Sequence, residues 1–413
     1  MSRKPLWIAA VCVLVYFFTN GMALFVPQNL FPRFMEAFGA TPAEVSRTTA
    51  ITFGISGLLA PFVGAAIDRF GVVRVIRTGL LVLGVTFIAY PMARSLQDLY
   101  LLHAVIAVGL ILSGLMPNVV LPSRWFRERR GMAVGVLVAG SSLAGATLPV
   151  AISPLVNDPA YGWRLGFGVL AVAFWLLAVL PAFLVLREAP ATDRATNAQA
   201  SQAVDGVTFA EALRSRTLWC LAIGSACLWF AIQAMTSQIT IYFEQEAGLA
   251  PQRATALYST ILACSVAGKF LFGAVSDRFR KQPVMVVTSL TLLAGCLLLF
   301  TSGANGPGLQ LGLARSPVQL TAFAVIFGLG FGGSFTLIQL VAVESFGQLA
   351  LGRILGVVTF VDTMGGAAGT VLAGQIRTAT GDYFVTFALV VLVAVIAVAN
   401  VLLIRPVARI TNA

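Results

Sequence analysis

Histidine occurs once in the 413 residues, at His103, and only 10% of the chain is charged. The five cysteines, Cys12, Cys220, Cys227, Cys264 and Cys296, show neither a Cys-x-x-Cys pair nor any other metal-ligand spacing. No metal site is therefore expected, and the cysteines read as packing residues. A phosphate-binding loop of the Gly-x-x-x-x-Gly-Lys-[Ser/Thr] kind is absent, which excludes ATP as a direct energy source. The one string that fits a dinucleotide pattern, GLGFGG at residues 328–333, follows no strand and lies in an apolar block. It reads as close helix packing. No cofactor and no enzymatic activity are expected.

What the chain has in abundance is apolar residues, 58% of the total, with a mean hydropathy of +0.91. That composition belongs in a bilayer. The apolar residues form twelve blocks, at 7–32, 45–66, 74–93, 98–121, 131–155, 163–186, 217–243, 254–275, 283–302, 318–342, 353–376 and 382–404. Each is near the roughly 20 residues that a helix needs to cross a ~30 Å hydrocarbon core. All read as helices (spans 1 to 12), because they are too long and too unalternating for barrel strands. The net charge of +11 does not indicate nucleic acid, because its distribution follows the membrane. With the N-terminus inside, the cytoplasmic segments hold 19 of the 27 Lys and Arg and the outer loops hold 7. Both termini are expected in the cytoplasm, and the membrane is expected to be the inner membrane of a bacterium. Ser2–Lys4 imitate the start of a secretory signal, but span 1 is long and runs into Gln28 and Asn29 without a cleavage pattern, so it is expected to be retained. The cluster RWFRERR reads as a membrane-surface contact.

The polar stretch 187–216 divides the spans six and six, giving expected domains of 1–186 and 217–413 joined by a cytoplasmic linker. Thr208 and Glu211 have capping-box spacing, so a short interfacial helix should lead into span 7. The halves resemble each other. FVGAAIDRFG aligns with FGAVSDRFRK, pairing Gly64, Asp68 and Arg69 with Gly273, Asp277 and Arg278 at a shift of 209 residues. GMAVGVLVAGSSLAG tracks RILGVVTFVDTMGGA, pairing Gly135 with Gly356 and Gly145 with Gly366 at a shift of 221. A weaker match sets Asn20 opposite Gln233. Two such bundles form a cleft, and transporters with parallel halves bind substrate near its midplane.

GAAIDRFGVVR, between spans 2 and 3, resembles the signature of the major facilitator superfamily. The resemblance implies an all-α membrane protein of twelve helices in two pseudo-symmetric six-helix bundles that works by alternating access. It also implies a cytoplasmic latch: Asp68 pairs with a neighbouring helix end while Arg69 and Arg74 stay at the surface, with Asp277 and Arg278 as the second copy. Arg280 stands where that copy should have glycine, so its latch is expected to be looser. WFRERRGMAVGVLVAGSSLAG, residues 125–145, is similar to the fifth-span motif of the monocarboxylate transporters and their oxalate/formate antiporter relatives. Trp125, Phe126, Arg129, Arg130, Ala133, Gly135, Ala139, Gly140 and Ser141 fill its positions. The Asp-Gly-Gly-Trp type of first-span motif found in animal members is missing.

Away from span ends, the interior holds two ionisable groups of opposite sign, Lys269 in span 8 and Asp362 in span 11. Lys269 precedes Asp277 by eight residues, about 12 Å of helix, and Asp362 follows Arg353 by nine, about 13.5 Å, so both reach the same depth. A mid-bilayer charge costs about 2.5–3.5 kcal/mol on insertion scales, which makes such residues functional by default. In the families resembled, a basic residue of span 8 receives the substrate carboxylate, and Lys269 occupies that position. Asp362 is then expected to neutralise Lys269 in the empty carrier and to take up a proton when substrate arrives. Asn20, Asn118, Gln233, Gln238 and Gln339 are the further candidate pocket residues. His103 reads as a hydrogen-bonded packing residue.

These features point to a proton-coupled secondary carrier of a small monocarboxylate, of the lactate, pyruvate or formate type, working as a monomer in the lipid bilayer. The alternatives are a proton-coupled exporter of drugs or other amphiphiles and an anion exchanger of the oxalate/formate kind. An exporter of cations should have an acid-dominated cleft, which Lys269 opposes. A retinal-type pigment would also use a lysine and an aspartate, but twelve spans and the duplication disfavour it.

Overall fold

The computed structural model describes residues 4–125, 130–158, 160, 162–188, 206–300 and 316–405. Among them are twelve helices long and apolar enough to cross a membrane. They are Pro5–Asn29 (span 1), Pro42–Phe70 (span 2), Val72–Met92 (span 3), Leu96–Trp125 (span 4), Val134–Val156 (span 5), Gly162–Val185 (span 6), Arg216–Gln245 (span 7), Pro251–Arg278 (span 8), Lys281–Phe300 (span 9), Pro317–Phe346 (span 10), Leu351–Thr380 (span 11) and Phe384–Leu402 (span 12). Spans 7, 10 and 11 have 30 residues each, roughly 45 Å at 1.5 Å per residue, so they overrun the hydrocarbon core. Their outer turns are built from the polar residues flanking each apolar block.

The chain forms two compact units, Met1–Ala40 with Ile51–Gln202, and Thr41–Ala50 with Ala203–Ala413. The division falls near the middle of the 187–216 stretch, and the first turns of span 2 group with the second unit. In the first unit, span 1 packs on span 5 and span 3 on span 4. An aromatic cluster fills its core, with Tyr90 stacked on Phe167 at 4.2 Å and Phe34 edge-on to Trp163 at 5.0 Å. In the second unit span 7 packs on span 11, and span 10 on spans 8 and 9.

Several spans are not plain α-helix. Span 1 loosens into a π-helix over Gly21–Phe25, directly after Asn20, and span 6 does so over Trp175–Val179. Span 4 breaks at Gly114. Pro117 explains the break, because it has no N–H to give the carbonyl of Ser113 four residues earlier. The Asn118 side chain replaces that donor, with Nδ2 bonding the carbonyl oxygens of Ser113 at 2.6 Å and Gly114 at 2.7 Å. In hydrocarbon such a carbonyl has no water to turn to, so the repair has to come from the protein.

The capping box read from the linker forms: Thr208 N–H and hydroxyl donate to Glu211, and Glu211 N–H donates back to the Thr208 hydroxyl. These bonds hold the Glu211 carboxyl below the usual carboxylate range. The helix they start, Phe209–Arg214, is tied to span 11 by the Arg353 guanidinium, 4.3 Å from the Phe209 ring centre. Just before it, Val207 N–H donates to the Phe346 carbonyl at 3.0 Å.

Glycine sets the closest approaches in the second unit. A Cβ at Gly328 would strike the Ile261 carbonyl, and one at Gly332 the Ser265 carbonyl, so these two glycines of GLGFGG form the face on which spans 8 and 10 touch backbone to backbone, while Gly330 lies against Leu292 of span 9. Gly365 and Gly369 of span 11 do the same against the carbonyls of Ala226 and Phe230 in span 7. By contrast, a Cβ at Gly356 meets nothing within 4 Å. Gly332→Ala should therefore destabilise the protein by about 1–3 kcal/mol, the usual cost of overpacking. Gly356→Ala should be neutral or stabilising by up to about 1 kcal/mol. Thermal unfolding of the two variants in the same detergent checks this, and equal melting temperatures would contradict it.

Candidate functional site

Lys269 owes its position to the glycine crossing. Its backbone nitrogen lies 2.9 Å from where a Cβ on Gly332 would sit, and a Cβ on the preceding Gly268 would strike the Leu329 carbonyl. With no side chain between the helices, the residue after Gly268 is pressed against span 10. The Lys269 ammonium lies 4.7 Å from the ring centre of Phe335, three residues beyond Gly332. Lys269 is 7% exposed. A cation over an aromatic face gains about 0.5–1 kcal/mol in water and about 2 or more when desolvated.

Asp362 is 8% exposed. Two hydroxyls donate to it, Ser225 to Oδ2 at 3.1 Å and Thr363 to Oδ1 at 3.3 Å, and the Thr363 backbone N–H donates as well. This corrects the direct pairing with Lys269 suggested by their common depth. Depth was legible along each helix, but the direction around it was not: span 8 packs on span 10, and span 11 on span 7. The two charged groups are joined indirectly. Trp229 lies one turn beyond Ser225 on span 7, with its ring edge-on to Phe335 at 5.9 Å and to Phe331 at 6.3 Å. Lysine, phenylalanine, tryptophan, serine and aspartate thus form one continuous group inside the second unit.

Gln233 is the next residue on the Ser225–Trp229 face of span 7. It is buried, accepts a bond from Thr236 at 3.4 Å, and its Cγ lies 3.1 Å from where a Cβ on Gly366 would sit. Gln339 is half-buried and follows Phe331 and Phe335 along one face of span 10. These two candidates therefore flank the aromatic pair. The other three are committed elsewhere. Asn118 repairs the break in span 4. Gln238 donates to Ser46 at 2.6 Å and accepts from Tyr383 at 2.9 Å, a clasp near the end of span 7. Asn20, in the first unit, makes a long 3.5 Å bond to the Tyr16 carbonyl of its own helix.

At the span 2–3 turn, Asp68, Arg69 and Arg74 are exposed, as are Asp277 and Arg278 at the span 8–9 turn. The acid that holds the start of span 3 is Glu188, which follows span 6. It accepts from Val73 N–H at 3.0 Å and pairs with Arg124 at 3.5 Å. Arg77 completes this tie by donating to the carbonyls of Phe183 and Leu186 at the end of span 6. In the second unit Glu344 of span 10 accepts from Lys281 N–H at 3.0 Å. Neither glutamate stands in a motif, so nothing in the sequence singled them out.

His103 has both ring nitrogens engaged, Nδ1 with the Thr52 hydroxyl at 2.8 Å and Nε2 with the Tyr90 hydroxyl at 2.9 Å. It is a fully buried packing residue of the first unit. Trp125 donates to the Arg187 carbonyl at 3.2 Å, whereas Phe126 and Arg129 of the same motif lie outside the described residues. Among the described residues no group of three or more His, Cys, Asp or Glu converges that could hold a metal.

Comparison with known proteins agrees with this architecture. The family model described as Major Facilitator Superfamily matches residues 12–309 and 254–412. The chain is 24% identical over 384 residues to monocarboxylate transporter 13 of Bos taurus, covering 91% of this chain and 84% of that one. It is 24% identical over 314 residues to the agnestins efflux protein of Paecilomyces divaricatus, covering 76% and 67%. The fold matches the crystal structure of a bacterial homolog of the human lysosomal transporter Spinster with a TM-score of 0.76 at 16% identity, covering 98% of this chain and 97% of that one. Twelve spans, a duplicated six-helix pattern and a family match over nearly the whole sequence establish that the chain belongs to the major facilitator superfamily and is a multi-pass membrane transporter.

Proposed function

We propose that the protein is a secondary carrier of monocarboxylates in which Lys269 receives the substrate carboxylate and Asp362 carries the coupled proton. The observation that carries this reading is the buried ammonium of Lys269, fixed by the Gly268–Gly332 crossing and laid over Phe335. A cation costs energy in that setting, and an anionic cargo lowers the cost each time it binds. Similarity to a monocarboxylate transporter over most of both chains supports the same class.

The revised surroundings of Asp362 change how coupling works. Its hydroxyl partners serve either protonation state, since a hydroxyl donates to a carboxylate and accepts from a carboxylic acid. The acid can therefore load a proton without disturbing the lysine. Substrate anion and proton then add one negative and one positive charge to the same group, so the loaded carrier has the net charge of the empty one. Transport is electroneutral, and the orientation keeps both termini in the cytoplasm. Exchange of one carboxylate for another uses the same lysine and needs no proton.

A second reading follows from the similarity to an agnestins efflux protein: expulsion of drugs or other amphiphiles through the same site. It shares the lysine and differs in the direction of net flux.

Lys269→Gln in proteoliposomes should lower uptake of labelled lactate or pyruvate at least tenfold, with insertion and elution profile unchanged. Uptake at the wild-type rate would remove Lys269 from the site. Asp362→Asn should keep substrate exchange but lose acceleration by an inwardly directed proton gradient. A gradient response equal to that of wild type would rule out proton coupling through Asp362.

A further inference from the structure

We infer that the preferred substrate is an aromatic monocarboxylate, with its carboxylate on Lys269 and its ring against Trp229 and Phe335; this rests on the carboxylate reading of the site.

The order of side chains on two neighbouring helices motivates it. Ser225, Trp229 and Gln233 recur every fourth residue on span 7, and Phe331, Phe335 and Gln339 do so on span 10. Residues four apart share a helix face. Each face therefore runs from polar to aromatic or back, and the rings meet at the level of the lysine.

Trp229 and Phe335 are half-buried, unlike the cores of Tyr90, Phe167, Phe323 and Phe327, which are closed to solvent. Their mutual arrangement is edge-on, 73° between planes, which leaves ring surface uncovered by the partner. The indole N–H of Trp229 is also available. Among the described residues it has no hydrogen-bond partner, a condition shared with the buried Trp163, whereas those of Trp125, Trp175 and Trp219 donate to the carbonyls of Arg187, Gly84 and Leu213. Buried tryptophan N–H groups ordinarily find an acceptor, so a half-buried one beside a cation suits a ligand with polar and aromatic parts.

The distances fit an arylcarboxylate. Phe335 is 4.7 Å from the ammonium and 5.9 Å from the indole, which bounds the path from cation to Trp229. A charge-assisted N–H···O bond takes about 2.8 Å of that path, and ring-to-ring contact takes roughly 4.5–7 Å. Benzoate or phenylacetate makes both contacts when its ring lies obliquely against Phe335 and Trp229 rather than on the line between them. Acetate or lactate, held at the lysine, would leave both rings uncovered. Lysine also suits this task. As a point charge on a flexible stem it does not impose the planar two-bond geometry of arginine, so the ring contact is left to orient the ligand.

The test is binding of phenylacetate and of acetate to the purified full-length protein by calorimetry, with Trp229→Ala, Trp229→Phe, Phe335→Leu and Lys269→Gln alongside wild type. Wild type should bind phenylacetate at least tenfold more tightly than acetate. Trp229→Ala and Phe335→Leu should each weaken phenylacetate about fivefold or more and change acetate less than twofold. Trp229→Phe should restore most of the loss, which separates lost stacking from misfolding. Lys269→Gln should abolish both. Equal wild-type affinities, or equal weakening of both ligands in Trp229→Ala, would overturn the aromatic preference while leaving the carboxylate site standing. Binding that survives in Lys269→Gln, or no binding of either acid to wild type, would overturn the site itself.

Discussion

Two helices that touch without side chains between them set the place of Lys269 in the second unit. At the Gly268–Gly332 crossing the backbones of spans 8 and 10 come as close as peptide groups allow, and that contact sets how deep and in which direction Lys269 points. A larger residue at either position would separate the helices, and the ammonium would lose the Phe335 face. The energies are of comparable size. Burying the charge costs about 2.5–3.5 kcal/mol on the most lenient scale, and a desolvated ring returns about 2 kcal/mol. The ring therefore offsets a large part of the cost of placing the lysine there.

The second glycine crossing, Gly365 and Gly369 against span 7, does the corresponding work for Asp362. It brings span 11 close enough for the Ser225 hydroxyl to reach the carboxylate. Had Asp362 been held by Lys269 directly, protonation would break a buried ion pair and strand a charge, a loss of several kcal/mol. Hydroxyl partners avoid that penalty because they can reverse their role. The aromatic layer separates cation from acid, with Lys269 over Phe335 and Asp362 beside Ser225 and Thr363.

The sequence made the spans, the linker helix and the packing role of GLGFGG legible because each depends on local pattern: hydropathy over about twenty residues, Thr208 and Glu211 three apart, glycines four apart. It also picked out Lys269 and Asp362, since charge inside an apolar block needs no structure to be noticed. What it missed depends on the azimuth of helices. Equal depth suggested an ion pair, yet the lysine faces span 10 and the aspartate faces span 7. Asn118 looked like a pocket residue, although Pro117 beside it was the readable sign that a carbonyl would need a substitute donor. Trp229 and Phe335 escaped notice because an aromatic residue in an apolar block is unremarkable until its neighbours are known.

The turns between spans 2 and 3 and between spans 8 and 9 carry the same logic to the helix ends. In both, the repeated Asp-Arg pair is exposed, and the start of the next helix is held by a glutamate from elsewhere, Glu188 for span 3 and Glu344 for span 9. These glutamates do not occupy equivalent places in the two halves, since one follows span 6 and the other ends span 10. A helix N-terminus needs an acceptor for its unpaired N–H groups at all times. An acid that forms and breaks contacts during a transport cycle cannot serve that need without fraying the helix at each turnover. Giving the permanent bond to one carboxylate means that neither Asp68 nor Asp277, both exposed, is the acid that anchors these helix starts.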